Sequence, residues 1–228
     1  MTWALVTLTI VESFVCGIAL LPVLALWYLL SNLVRSNVIA QVVVFSLALV
    51  PSYVLFAVWL LIVSPLTIRL LGWRTPADHT MRLADMDWSL LNWVRYGASI
   101  HLVRVIAGTL FRATPLWTLH LRLGGAQLGK RVYVNSLGVS DYNLLECGDD
   151  VVIGASVHLS GHTVEGGVVK TARVRLGNNV TIGIGSVIEI DVEIGPNAQV
   201  GAMSFVPKHA RLKGGMVYVG VPAVPIEK

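Results

Sequence analysis

The sequence predicts a mixed protein: an N-terminal transmembrane α-helical hairpin, interfacial helices, and then a C-terminal left-handed parallel β-helix. Two long apolar runs predict the hairpin, and a six-residue repeat predicts the β-helix. The composition agrees with a membrane segment. Of the 228 residues, 55% are hydrophobic and 13% are charged, and the mean hydropathy is +0.72. An average soluble domain carries about 25% charged residues. The composition therefore excludes a disordered chain and argues against a wholly soluble one.

The first predicted domain, residues 1–70, contains the two apolar runs. The run from Trp3 to Leu30 has one ionisable residue, Glu12, whose role stays open, and the run from Val38 to Leu66 has none. Each run is about 42 Å long as a helix. A bilayer core of about 30 Å needs about 20 apolar residues, so both runs are long enough to span it. The link between them is so short that the two helices must be antiparallel.

The basic residues predict the orientation of the hairpin. Arg35 is the basic residue of the predicted turn, whereas seven arginines follow the second run: Arg69, Arg74, Arg82, Arg95, Arg104, Arg112 and Arg122. The positive-inside rule places that side, together with the N-terminus, in the cytoplasm. We therefore expect an integral protein of the inner (cytoplasmic) membrane with lipid bilayer as a partner. The basic excess lies beside the apolar runs, which favours a membrane surface and not nucleic acid.

The second predicted domain, residues 71–127, contains juxtamembrane helices from Met86 to about Leu123. In the stretch 99–113 four residues share one face of a helix, and the remainder is mostly apolar. The four residues are His101, Arg104, Gly108 and Arg112. Such a helix is expected to lie in the interface. Two alternatives are a third span at about 98–119, which would bury Arg104, and simple packing against the soluble domain.

The third predicted domain, residues 128–228, is built from the repeat. An aliphatic residue, usually followed by glycine, recurs every six residues without a break from Leu176 to Leu212, and earlier blocks begin at Leu128 and Cys147. Each hexapeptide supplies one strand and one turn, so three hexapeptides form a coil of about 18 residues with the aliphatic residue pointing inward. Residues 135–146 and 160–174 interrupt the frame. Loops that leave a rigid scaffold often carry function.

The repeat domain resembles the hexapeptide-repeat acyltransferases. Ser156–His162 is similar to the segment whose second histidine is the catalytic base. Ile182–Val187 and Gly201–Lys208 are similar to coils that bind the pantetheine arm of a donor, and Tyr218–Ala223 resembles the closing motif. The resemblance implies acyl transfer from a pantetheine thioester, with no tightly bound cofactor.

A longer resemblance is to the membrane-embedded C-terminal units of non-ribosomal peptide synthetases of the poly-lysine-synthetase kind. It is carried by Arg112–Gly129, Gly148–Gly154 and Gly161–Val168. It implies transfer of an acyl or aminoacyl group to an amine or hydroxyl acceptor, which includes amide-bond formation. The donor is coenzyme A or a carrier protein. The triangular coil and the free-standing unit together predict a homotrimer with active sites between subunits.

The candidate catalytic residues follow from this chemistry. His162 is the expected general base, because imidazole titrates near neutral pH. A carboxylate would hold its tautomer, and the candidates are Glu165 and Asp141. Four further residues are expected to bind substrate: Tyr142 and Asn143 the acceptor, Lys208 and Arg211 the phosphates of the donor.

Two other classes of function were weighed. A metal site is not predicted, because His158 and His162 lie four residues apart but no third histidine has a matching spacing. The alternative to an enzyme is a non-catalytic membrane scaffold or partner subunit of a peptide synthetase. His162 discriminates between the two, since a scaffold has no need of a base in that loop.

Overall fold

Two long antiparallel helices open the fold. The computed structural model describes residues 2–35 and 37–226, with side chains from Val6 onward. Helix α1 is Thr2–Leu33 and helix α2 is Val38–Leu70, and Asn37 caps α2 by accepting a hydrogen bond of 3.0 Å from the backbone N–H of Ala40. The segments Val6–Leu33 and Val38–Leu70 are long and apolar enough to cross a membrane. The predicted helical hairpin is confirmed.

The hairpin is exposed near its turn and buried near its base. Around the turn, the large apolar side chains of both helices face outward: Leu21, Leu24, Leu29, Leu33, Val38, Ile39, Val42 and Leu47. Nearer the chain's N-terminus and the end of α2, Ala19, Ala57 and Leu60 are completely buried. The base of the hairpin is therefore part of the protein core, and the outer part presents an apolar surface.

The segment after the hairpin contains a strand and several helices. These are β1 (His79–Arg82), α3 (Trp88–Val103), a π-helical turn (Arg104–Gly108), α4 (Thr109–Phe111) and α5 (Pro115–Leu123). Asp87 caps α3, and Thr114 caps α5 with proline at the first helical position. The predicted helical stretch is present, but it is broken at residues 112–114, and β1 was not predicted.

The polar face of this stretch does not lie free in an interface. Arg104 Nη2 donates a 3.0 Å hydrogen bond to the carbonyl of Val139 in the repeat domain. On the other side, Arg95 Nη2 donates to Thr7 Oγ1 at 3.1 Å, and Ser99 contacts Glu12. Correcting the interfacial prediction, α3 packs between the hairpin and the repeat domain. Within the described residues the candidate spans are α1 and α2 alone, so 98–119 is not a third one.

Helix α5 is tied to α2 at a point where α2 lacks a hydrogen bond. Pro65 lies inside α2 and has no N–H to donate to the carbonyl of Leu61, four residues earlier. His120 Nδ1 lies 2.9 Å from that carbonyl oxygen. His120 is buried, which lowers its pKa to about 4 despite this hydrogen bond, so the ring is neutral and its Nδ1–H donates.

The repeat domain is a parallel β-helix made of short strands. Its strands are β2 (Gln127–Leu128), β3 (Tyr133–Val134), β4 (Leu145–Cys147), β5 (Val152–Ile153), β6 (His158–Leu159), β7 (His162–Glu165), β8 (Val168–Thr171), β9 (Val174–Leu176), β10 (Thr181–Ile182), β11 (Val187–Ile188), β12 (Glu193–Ile194), β13 (Gln199–Val200), β14 (Phe205–Val206), β15 (Arg211–Leu212), β16 (Val217–Val219) and β17 (Val224–Ile226). A 3₁₀ turn, Tyr142–Leu144, precedes β4.

The strands stack into three faces, whose orders are β17-β16-β13-β10-β5-β3, β14-β11-β6 and β15-β12-β9-β4-β2. Except for the closing pair β16 and β17, the pairs within these faces are parallel. The register matches Ile182 with Val200, and both side chains are buried. The left-handed β-helix with inward aliphatic residues is confirmed.

The second interruption is a β-hairpin. Thr181 pairs with Gln199, 18 residues on, but with Val152, 29 residues back, so 11 extra residues leave the coil. They form β7 and β8, joined at Gly166 and Gly167, both with positive φ as the tight turn requires. Strand β1 then pairs antiparallel with β8. This three-stranded sheet attaches the segment after the membrane hairpin to the β-helix.

Candidate active site

The structure joins the two interruptions through a His–Asp contact. His162, the first residue of β7, places Nδ1 2.5 Å from Oδ2 of Asp141 in the first interruption. The Asp141 side chain is 3% exposed and that of His162 is 29% exposed. Asp141 has φ +49°, in the left-handed region, which Asp tolerates better than most residues. A buried carboxylate thus holds one nitrogen of a partly accessible imidazole.

Asp141 has further hydrogen bonds that fix its position. Thr75 Oγ1 donates to Asp141 Oδ1 at 2.6 Å, and Ser140 Oγ donates to Oδ2 at 2.8 Å. On the histidine side, Ser160 Oγ donates to the backbone carbonyl of His162 at 2.6 Å. The donors to Asp141 leave its carboxylate as an acceptor for the ring. His162 Nδ1 therefore carries the proton, and Nε2 keeps its lone pair.

The electrostatics of the pair favour a strong base. Burial would raise the pKa of Asp141, but the hydrogen bonds from His162, Thr75 and Ser140 outweigh it and hold that pKa below its ordinary value. Burial would likewise lower the pKa of His162. The hydrogen bond and the negative charge of Asp141 overcome this effect, so the pKa of His162 is raised.

His162 faces a cavity of about 410 Å³ between α3 and the β-helix. The α3 side supplies apolar walls, among them Trp93 and Ile100, and also Arg104. His158, Ser140 and the His162–Asp141 pair line the other side. The Trp93 ring meets the His162 ring edge to face, with centroids 5.1 Å apart. The arrangement offers a base beside an apolar, partly enclosed space.

Comparison with known proteins adds to this geometry. No family model matches the chain. It is 26% identical over 163 residues to delta-poly-L-ornithine synthetase of Acinetobacter baumannii, covering 70% of this chain. It is 36% identical over 103 residues to galactoside O-acetyltransferase of Escherichia coli, covering 42% of this chain. The C-terminal domain is of the hexapeptide-repeat acyltransferase type. This chain spans 12% of the first relative and 50% of the second.

A solved galactoside acetyltransferase in complex with coenzyme A has a related fold. It is 24% identical, with a TM-score of 0.48, and the match covers 66% of this chain and 86% of that one. The hairpin α1–α2 and the His162–Asp141 pair are described above from this chain's own residues.

Glu165 lies elsewhere in this acyltransferase-type domain. It was one of two carboxylates considered for orienting His162, but its side chain forms an exposed ion pair with Lys208 and lies 4.0 Å from Lys170. The chain direction explains this placement, because β7 extends away from the coil and Glu165 is at its far end. Asp141 is the carboxylate that the structure brings to the ring.

The two residues considered for acceptor contacts have structural partners. Tyr142 is completely buried, and its ring packs against Trp117 and His120 at centroid distances of 6.5 and 5.6 Å. The side chain of Asn143 donates a 2.7 Å hydrogen bond to the backbone carbonyl of Thr75. Neither residue lines the cavity of His162. Both hold the first interruption against the preceding helices.

The two basic residues considered for donor phosphates lie on the β-helix surface. Lys208 pairs with Glu165, as described above. Arg211 pairs with Asp191 at 2.9 Å and lies 3.5 Å from Glu193, within a row of alternating charges on one face of the β-helix. In the single chain neither of them lines the cavity of His162.

Two residues of the site were missed by sequence reasoning, Thr75 and Trp93. Thr75 is 66 positions from the carboxylate it holds, and Trp93 belongs to a helix that resembled a membrane-interface element. No local spacing signals either contact. The pair Gly166–Gly167 between β-branched residues was an available signal for the β7–β8 turn.

Proposed function

We propose that this protein is a membrane-anchored acyltransferase that moves an acyl or aminoacyl group from a pantetheine thioester to an amine or hydroxyl acceptor. The observation that supports it most is the His162–Asp141 pair at the wall of an apolar cavity, in a domain of the hexapeptide-repeat acyltransferase type. Amide-bond formation agrees with the similarity to a poly-ornithine synthetase. Coenzyme A and a carrier protein are both candidate donors.

In the proposed reaction His162 is the general base. The acceptor N–H or O–H loses its proton to Nε2 of His162 while the acceptor atom bonds to the thioester carbonyl carbon. The tetrahedral intermediate then collapses, the carbon–sulfur bond breaks, and the thiolate takes the proton from the imidazolium. Asp141 stabilises that imidazolium and keeps Nδ1 protonated throughout. Atoms and charges balance with thiol and amide or ester as products.

The cavity indicates the kind of acceptor. Trp93 and Ile100 present apolar surface next to the base, while His101 and Arg104 offer polar groups on the same helix. An acceptor with an apolar body and a single amine or hydroxyl fits this lining. The apolar outer surface of α1 and α2 supports insertion in the inner membrane, and the arginines that follow α2 support a cytoplasmic β-helix.

The direct test is product formation with the purified full chain. Pantetheine-linked acyl and aminoacyl donors are incubated with a pool of amines and alcohols, and products are followed by mass spectrometry. We expect product from the wild type and from His79→Ala, whose exposed side chain lies outside the cavity, and at least about 10²-fold less from His162→Ala. No product from any form would favour the scaffold alternative, and equal product from His162→Ala would remove the proposed base.

A further inference from the structure

A second, larger cavity lies on the other side of the first interruption. Its volume is about 790 Å³, and it is enclosed by the end of α2, the loop to β1, the first turns of α3 and the start of β9. Three arginines line it: Arg69, Arg74 and Arg173. We call this space the arginine cavity. Nothing in the proposed reaction uses it.

The charge of this cavity is largely uncompensated. Arg69 and Arg74 are exposed and form no ion pair within the described part of the chain. Arg173 Nε lies 3.2 Å from Glu146, yet that nitrogen has no hydrogen-bond partner among the described residues. Among the described lining residues there is no Asp or Glu. Guanidinium groups concentrated in this way recognise phosphate oxygens, often through two hydrogen bonds.

The cavity also offers uncharged donors and an apolar border. Ser89 and Asn92 on the first turns of α3 line it. Leu66 and Leu70, on the last turns of α2, are 42% and 88% exposed next to Arg69. If α2 spans the bilayer as proposed, these positions lie where lipid headgroups meet water. Thr75, which holds Asp141, and Asn143 line the opposite wall, so a ligand there would touch the loop that supports the catalytic pair.

We propose that the arginine cavity binds a phosphate group. The phosphate belongs either to a lipid headgroup or to a soluble ligand, since both present the same oxygens to the arginines. The apolar border supplied by Leu66 and Leu70 fits a lipid. This site is separate from the cavity of His162 and does not depend on acyl transfer.

The test measures binding by the thermal unfolding of the full chain in neutral detergent. The probes are dioctanoyl phosphatidic acid, inorganic phosphate and the phosphate-free dioctanoylglycerol. We expect Tm to rise with phosphatidic acid, and not with dioctanoylglycerol. Arg69→Gln/Arg74→Gln is expected to weaken phosphatidic acid at least about tenfold, because two charge-assisted hydrogen-bond donors are lost. Arg69→Lys/Arg74→Lys, which keeps both charges, is expected to retain part of the affinity.

Matched controls separate this site from general charge and from catalysis. Arg82→Gln/Arg112→Gln removes two exposed arginines outside the cavity and is expected to bind as the wild type does. His162→Ala is expected to bind equally well. A rise with inorganic phosphate as well would assign the site to soluble phosphates, and a rise with phosphatidic acid alone to lipid headgroups. No rise with either probe, or an equal rise in Arg69→Gln/Arg74→Gln, would overturn the proposal.

Discussion

Single residues differ here chiefly in how far their charges are shielded from water. The chain has two contacts between a histidine and an aspartate, His162–Asp141 and His209–Asp191, at 2.5 and 2.8 Å. The Asp141 side chain is 3% exposed, whereas Asp191 is 29% exposed and His209 69% exposed. Water screens the second pair, so its charges interact weakly. The buried pair is the one whose geometry and proton affinity the protein controls.

Glu165 illustrates the same rule from the other side. We predict that Glu165→Gln changes the rate of acyl transfer by less than about twofold, because its ion pair with Lys208 is exposed and surface pairs contribute little. Rates are compared with those of the wild type at one pH under saturating donor. A loss of tenfold or more would return Glu165 to the catalytic residues.

At the scale of elements, α2 and α5 depend on each other through one hydrogen bond. Pro65 leaves the carbonyl of Leu61 without its helical partner, and His120 supplies one. We predict that His120→Phe lowers the free energy of unfolding by about 1–3 kcal/mol, the cost of an unpaired buried carbonyl. In a Pro65→Ala background, which restores the N–H, the same change is expected to cost less. Denaturation of the four proteins in detergent gives the coupling energy. Additive effects would contradict this relation.

The coils of the β-helix approach each other at glycine. A Cβ at Gly183 would lie 2.5 Å from the backbone nitrogen of Ala202 in the next coil. Gly183→Ala is therefore expected to destabilise the fold by about 1–3 kcal/mol through overpacking. Gly97→Ala is the matched control, because nothing lies within 4 Å of its Cβ position and alanine favours a helix. Thermal unfolding that ranks the two variants in the opposite order would exclude this explanation.

Elements also show what local sequence can and cannot reveal. The hexapeptide register and the apolar runs are periodic, so the β-helix and the hairpin were predictable from the sequence. Strand β1 was not, because it exists through pairing with β8, and His79 and Thr171 are 92 positions apart. For the same reason, the sequence offered both Asp141 and Glu165 as partners of His162, and only the tertiary fold selects one.

At the scale of the whole molecule, one hydrophobic core runs from the hairpin into the β-helix. It includes Ala57 and Leu60 of α2, Tyr96 of α3, Trp117 of α5 and Ile153 of β5. The predicted boundary at residue 128 falls within β2, and the core continues across it. The orientation of the cavity of His162 relative to the hairpin is therefore fixed by packing, not by a linker.

The predicted assembly is a trimer of this unit. Flat β-helix faces with rows of alternating charge, such as the face of Arg211, are suited to contacts between copies. Native mass spectrometry of the protein released from detergent is expected to give three times the chain mass of 24.7 kDa. A monomeric mass under conditions that preserve activity would contradict the trimer and the placement of donor residues across subunits.

The measurement that tests the central claim most directly is the pH dependence of kcat in the wild type and in Asp141→Asn. His162 must be neutral to accept a proton, so the wild-type rate falls as pH decreases through its raised pKa. Without the charge of Asp141, burial lowers that pKa. The acidic limb is then expected to move to lower pH, and the plateau to fall by about 10² or more. Asp191→Asn, which alters the exposed pair, should leave the limb in place. An unchanged limb and plateau in Asp141→Asn would contradict the assignment of His162 and Asp141 as the catalytic pair.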